Sequence, residues 1–183
     1  NELFQPVSKK NNSEDEELLA VTQDQGVLPR SLLERRVVMP EGSTKSYKLV
    51  ESGNFIISLR SFQGGLEYSN YRGLVSPAYT VLEPIKTISN DFFKHYFKSY
   101  NFIGHLAVAV IGIRDGKQIS YEDFYFLKLP YPTIKEQKKI AQVLTQADQE
   151  IDLYLRQLDK LKLEKKSLMQ QLLTGQKRVK VAA

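Results

Sequence analysis

The sequence contains no cysteine and only two histidines, His95 and His105. Without cysteine there are no disulfides, thiolate nucleophiles or cysteine metal ligands, and two imidazoles offer little basis for a metal site. No apolar run approaches the roughly 18 residues that a membrane helix requires. Residues 1–6 also lack the basic end and apolar centre of a signal peptide. We therefore expect a cytoplasmic protein with no membrane segment, metal or cofactor of its own.

The 183 residues include ten Tyr and nine Phe and are 42% hydrophobic, which suits one ordinary domain with an appendage. The net charge of +5 is unevenly placed, because residues 134–183 hold eleven Lys or Arg and only six Asp or Glu. Residues 1–17 sum to −3, which leaves +3 for residues 18–133. This bias permits nucleic-acid binding without establishing it.

A long C-terminal helix gives the clearest signal. Proline at 130 and 132 disfavours helix before this point, while Thr133 and Glu136 form a capping-box pattern, so the helix is predicted to begin at Ile134. Gly175 supplies a stop after residue 173. An apolar stripe with alternating steps of four and three, typical of a coiled coil, contains Ile140, Leu144, Ala147, Ile151, Tyr154, Leu158, Leu161, Leu168 and Leu172, with Lys165 at one further position.

A helix of about 40 residues would be roughly 60 Å long. A stripe of that length exceeds what a 130-residue domain can cover, so we expect a second helix to pair with it. The alternative is that the helix lies along its own core.

The first 130 residues show short apolar or alternating runs separated by Gly, Pro or Asn, which predict strands. The runs are Leu18–Thr22, Phe55–Leu59, Ala78–Leu82 and Ala107–Ile113. Residues 90–100 have aromatic residues at helical spacing and predict a short helix that begins after Ser89 or Asn90. The sequence therefore predicts an α+β domain followed by one long helix.

Residues 132–144 read PTIKEQKKIAQVL and residues 168–175 read LMQQLLTG. This pattern resembles the conserved helical region of the specificity subunits of type I restriction-modification systems, which recurs after each target-recognition domain. Upstream, GNFIISLRSFQGG at 53–65 and GLVSPAY at 73–79 are similar to the central part of one subgroup of recognition domains. The matches touch most of residues 50–175.

The resemblance implies a target-recognition domain at 1–132, a coiled-coil helix at 133–175 and a basic tail at 176–183. It implies a non-catalytic chain that reads one half of a bipartite double-stranded DNA target. A methyltransferase subunit, which would bring S-adenosylmethionine, and a restriction/translocase subunit are the implied partners. Such subunits usually hold two domains and two helices. This chain holds one of each, so it could be a half-subunit that pairs with itself or a second half through an antiparallel coiled coil, or the C-terminal half of a longer chain.

Reading bases in the major groove requires Arg or Lys for guanine and Asn or Gln for adenine. Such residues concentrate around a glycine turn at 60–73, where Arg60, Ser61, Gln63, Tyr68, Asn70 and Arg72 are candidates for DNA contacts. A second candidate turn at 22–30 contains Gln23, Gln25 and Arg30. The alternative is a polar hairpin whose tyrosines pack on the core. Lys94, His95 and Lys98 could touch phosphate or simply form a solvated helix face.

Two other functions remain open. A protein–protein adaptor would use the long helix for assembly and the α+β domain for peptide binding. A small hydrolase could assemble Ser76, His105 and Asp115, but their spacing resembles no nucleophile elbow.

Overall fold

The computed structural model describes residues 2–10, 15–23, 25–33, 44–110 and 119–180. The chain divides into two compact units, Asn1–Ala141 and Gln142–Ala183. The first unit is built from short strands and helices, and the second begins within the long helix. None of the helices within the described ranges combines the length and apolar content needed to cross a membrane.

Within the described ranges, eight strands form three antiparallel sheets. They are β1 (Phe4–Val7), β2 (Leu19–Thr22), β3 (Gly26–Pro29), β4 (Lys48–Val50), β5 (Phe55–Ile57), β6 (Glu67–Tyr68), β7 (Gly73–Val75) and β8 (Thr80–Pro84). The largest sheet has the order β1-β8-β5-β6, and the hairpin β2-β3 and the pair β4-β7 complete the set. Strand β1 tolerates Pro6 because it lies at a sheet edge, where a missing N–H breaks no ladder.

The part of the chain that the structure describes also contains five α-helices: α1 (Ser61–Gly64), α2 (Asn90–Tyr96), α3 (Tyr100–Val110), α4 (Tyr121–Tyr125) and α5 (Ile134–Leu173). The main core lies between the four-stranded sheet and these helices and is dominated by phenylalanine. The Phe4 ring meets the rings of Phe55 and Phe93 edge to face at 5.5 and 5.2 Å. This geometry is favoured because the ring edge is electropositive and the ring face electronegative.

The predicted α+β class is confirmed, and three of the four predicted strands overlap observed ones. The strand predicted at Ala107–Ile113 is wrong for residues 107–110, which belong to α3, and residues 111–113 lie outside the described residues. The short apolar run suggested a strand, but Phe102 and Leu106 are buried one helical turn apart and set a helical period. Ser99 begins this helix, since its hydroxyl accepts the Phe102 amide at 3.3 Å.

Helix α5 begins and ends where the sequence predicts. The Thr133 hydroxyl accepts the Glu136 amide at 3.3 Å, which satisfies one of the free N–H groups at the helix start. At the other end Gly175 has φ +73°, and the amide of Lys177 donates to the carbonyl of Gln171 at 2.9 Å. A left-handed glycine with this returning bond is a common helix stop.

Candidate nucleic-acid interface

We call residues 22–30 the hairpin loop, a name that covers the end of β2, the turn and strand β3. Thr22 lies opposite Gly26 across the turn. The Thr22 hydroxyl donates to the carbonyl of Gly26 at 2.9 Å and accepts the amide of Gln25 at 3.1 Å. This side chain therefore fixes the turn, and the side chains of Gln23 and Gln25 are exposed on it. Arg30 is half-buried in a short 3-10 turn that follows.

We call residues 60–73 the glycine loop. Arg60 and Gln63 are exposed on its first turn. Ser61 is only 1% exposed, and its hydroxyl accepts the amide of Ser58 at 2.8 Å. Ser61 was a candidate for DNA contact on sequence alone. Because its hydroxyl is engaged inside the loop, we assign it to loop structure and leave it out of the reading surface.

A further candidate, Tyr68, makes its contacts within the protein itself. The Tyr68 ring lies 5.1 Å from that of Phe55, and its hydroxyl accepts the Asn90 side-chain amide at 3.4 Å. This matches the alternative in which a tyrosine of the loop packs on the core. Asn70, by contrast, is exposed.

Arg72 is exposed but paired. Its guanidinium contacts Glu16 Oε1 at 2.7 Å and Glu51 Oε1 at 3.3 Å. The hydrogen bond and charge of Glu16 raise the pKa of Arg72 above its ordinary value. Glu16 and Glu51 therefore neutralise the charge of Arg72, one of the candidates for DNA contact. A DNA contact by Arg72 would have to compete with these two carboxylates.

The two candidate loops lie against each other, which the sequence did not indicate. The side-chain amide of Gln23 donates to the carbonyl of Arg60 at 3.2 Å. Val27 of β3 forms a parallel bridge with Ser69. Gly64 lies beside the Gln23 side chain, and a Cβ there would be 2.9 Å from Gln23 Nε2, so a larger residue would displace that side chain. The two loops therefore contact each other at two points.

A cavity of about 630 Å³ opens between the loops, lined by residues 21–23, residues 58–60 and Tyr79. The ammonium of Lys48 donates to the backbone carbonyl of Tyr79, a residue that lines this cavity, at 2.6 Å. Burial, together with the nearby charge of Lys10, lowers the pKa of Lys48. Neither Lys48 nor Tyr79 was singled out by residue type. Their only sequence signal is the position of Tyr79 at the end of the GLVSPAY stretch.

The helix stripe in α5 presents apolar side chains to solvent. Ile140 is 38% exposed, and the remaining large stripe members from Leu144 to Leu172 are 41–60% exposed. Ala147 is exposed as well. An apolar row of this kind is what a pairing helix would cover.

Among the described residues, the geometry gives no support to the small-hydrolase alternative. His105 is exposed on α3, Ser76 is half-buried after β7, and Asp115 lies outside the described residues. Within the described part of the chain, no group of three or more His, Asp and Glu residues is placed to hold a metal ion.

The chain matches a family model described as "Type I restriction modification DNA specificity domain" over residues 32–163. The match includes the glycine loop and three quarters of α5, whereas the hairpin loop precedes it. The chain is also 28% identical over 143 residues to a protein of Methanocaldococcus jannaschii named as the MjaX specificity subunit of a type I restriction enzyme. That alignment covers 75% of this chain but only 32% of the relative. Since the family model matches well over half of the sequence, the chain belongs to the type I restriction-modification DNA specificity domain family.

Proposed function

We propose that this chain is a non-catalytic recognition module that reads one half of a bipartite double-stranded DNA target. The reading surface is the joined face of the hairpin and glycine loops. The observation that carries the proposal is the bond from the Gln23 side chain to the backbone carbonyl of Arg60, because it holds close together two residues of the types that can read adenine and guanine. Base readers must be held together to address neighbouring base pairs.

The residues proposed to contact DNA are exposed or half-exposed and come from both loops. They are Arg60, Gln63, Asn70, Gln23, Gln25 and Arg30. The side chains of Tyr68 and Ser61 make contacts inside the protein, and Arg72 connects the glycine loop to Glu16 through an ion pair.

We further propose that the stripe of α5 pairs with a second helix in antiparallel orientation, from another copy or another half-subunit. A helix of 40 residues is roughly 60 Å long, so pairing of this kind would separate two recognition domains. Each domain would then address its own half-site, with unread base pairs between them. The full assembly would include a methyltransferase subunit, which supplies S-adenosylmethionine, and a restriction/translocase subunit.

Selection of binding sites from a random pool of duplex DNA tests the reading surface. Arg60→Ala should cost about 1–3 kcal/mol of discrimination at one base position and leave the other positions unchanged. Arg156→Ala is the matched control, because it removes the same charge from an exposed position on α5. If folded Arg60→Ala keeps every base preference, the glycine loop does not read bases.

Binding at two salt concentrations separates DNA recognition from a peptide-adaptor function. Phosphate contacts release counterions, so the association constant should fall steeply as salt rises. An adaptor would show no binding to duplex DNA at either concentration, and that result would refute the proposal.

A further inference from the structure

The ammonium of Lys98 lies where the two loops meet. It donates to the carboxylate of Glu67 at 2.5 Å, to the carbonyl of Gly64 at 2.9 Å and to the carbonyl of Gln23 at 3.3 Å. A lysine ammonium has three N–H donors, and here each has an acceptor. One acceptor belongs to the hairpin loop and two belong to the glycine loop.

The carboxylate of Glu67 is the buried partner of this ammonium. Its side chain is 2% exposed, whereas that of Lys98 is 35% exposed. A buried carboxylate requires a partner, because an unpaired charge in the interior is costly. The contact with Glu67 therefore fixes the position of Lys98, and the two carbonyl contacts extend that fixed point to both loops.

The neighbouring glycine allows the glycine loop to reach Lys98. Gly65 has φ +74°, and a Cβ there would lie 1.8 Å from the carbonyl oxygen of Phe97. No other residue fits this approach without moving the end of α2, since both the backbone angle and the space exclude a side chain. The Gly-Gly pair thus brings the loop backbone against the segment that carries Lys98.

We infer that Lys98 is a positioning residue for DNA reading, which ties the hairpin loop to the glycine loop and makes no phosphate contact itself. The inference rests on the proposed function. Phosphate binding would require an N–H donor, and all three already have protein acceptors. Loss of the tie should therefore alter which bases are preferred while the number of phosphate contacts stays the same.

Hydrogen exchange on the full chain without DNA tests the tie directly. Lys98→Met alone would remove the ammonium that faces the buried Glu67 carboxylate and so add a charge-burial effect. The informative pair is therefore Glu67→Gln against Glu67→Gln with Lys98→Met. The second variant should exchange on the order of ten-fold faster in both segments 22–26 and 60–66. Lys94→Met removes the same charge from an exposed position on α2 and should leave both segments unchanged.

Site selection from a random duplex pool then tests the role in reading. In the double variant, preference at base positions read by the loops should fall about ten-fold, with the salt dependence of binding unchanged. Lys98→Arg should retain the preferences, because a guanidinium can donate to the same carboxylate and carbonyls. A phosphate-contacting lysine would behave differently: its loss weakens all sequences alike and lowers the salt slope by about one unit.

The outcomes separate this inference from the proposed function. If the wild-type chain selects no sequence, the proposed function fails, and faster exchange would then show only a structural contact. If the wild type is selective and the double variant keeps its preferences, or loses one unit of salt slope instead, the positioning role of Lys98 is refuted. Unchanged exchange in either segment refutes the tie itself.

Discussion

Gln137 connects the first turn of helix α5 to the rest of the first unit through two hydrogen bonds, and the cost of its replacement can be estimated. It is completely buried. Its carbonyl oxygen accepts the backbone amide of Ser89 at 2.9 Å, and its amide nitrogen donates to the carbonyl of Pro132 at 2.8 Å. One amide group therefore satisfies two backbone groups from different parts of the chain.

Gln137→Met keeps the approximate volume and helix propensity while removing both hydrogen bonds. The Ser89 amide lies in a buried residue and would lose the partner it has in the structure. Leaving a buried polar group unsatisfied costs about 1–3 kcal/mol. With the second bond included, the free energy of unfolding should fall by about 2–4 kcal/mol, which corresponds to a melting temperature lower by about 10 °C for a unit of this size.

Near-ultraviolet circular dichroism during thermal and urea unfolding would measure the loss in the globular unit. Gln142→Met is the matched control, because Gln142 lies on the same helix but is exposed. It should unfold like the wild type. If Gln137→Met also unfolds like the wild type, the two hydrogen bonds contribute nothing net, and the attachment of the helix start must come from apolar packing at Ala141.

Further predictions concern glycine and leucine positions. Gly65→Ala should destabilise the protein by more than about 3 kcal/mol, since it combines a left-handed φ with a backbone clash. Gly104 occupies an exposed position of α3, and a Cβ added there would have no atom within 4 Å. Gly104→Ala should therefore stabilise the protein by about 0.5–1 kcal/mol in the same melting assay. Replacing Leu158 and Leu161 with Asp should abolish self-association in sedimentation, because each buried Leu contributes roughly 2 kcal/mol. Leu163→Asp, off the stripe, should not, and equal sedimentation of all variants would exclude the stripe as the interface.

The long helix could be predicted to the residue because its signals are local. A capping threonine, a proline before it and a glycine after it act through the nearest backbone groups. The observed bounds, Ile134–Leu173, match the predicted ones for that reason. Whether the stripe pairs with another helix is not a local property, and it stays a prediction.

The strand prediction at Ala107–Ile113 is wrong at residues 107–110 because the contacts that decide the structure there are not local. A run rich in Ala and Val can serve as a strand or a helix, and tertiary packing decides between them. In this chain Phe102 and Leu106 enter the phenylalanine core from one helix face. The Ser99 cap was visible in the sequence, but it was absorbed into a single predicted helix at 90–100, whereas the structure divides that stretch between α2 and α3.

The candidate site shows what residue type can and cannot predict. Residue type predicted two polar turns as candidate DNA contacts, but the bond from Gln23 to Arg60 joins residues 37 positions apart and leaves no trace in local sequence. Arg72 is a good guanine reader by type, yet it pairs with Glu16 at a separation of 56 positions. Residue type gives the chemistry that a side chain offers, and the fold decides which neighbour uses it.

Helix α2 links the two parts of the first unit on which the proposed function depends. At its start, the backbone amide of the capping residue Ser89 donates to the side-chain oxygen of Gln137 in the first turn of α5. Just after its end, Lys98 contacts both loops of the proposed reading surface. Between these ends, Phe93 and Phe97 are completely buried, so α2 cannot shift without repacking the core. Helix α2 therefore connects the proposed reading surface to the first turn of α5, with a polar contact at or just after each end.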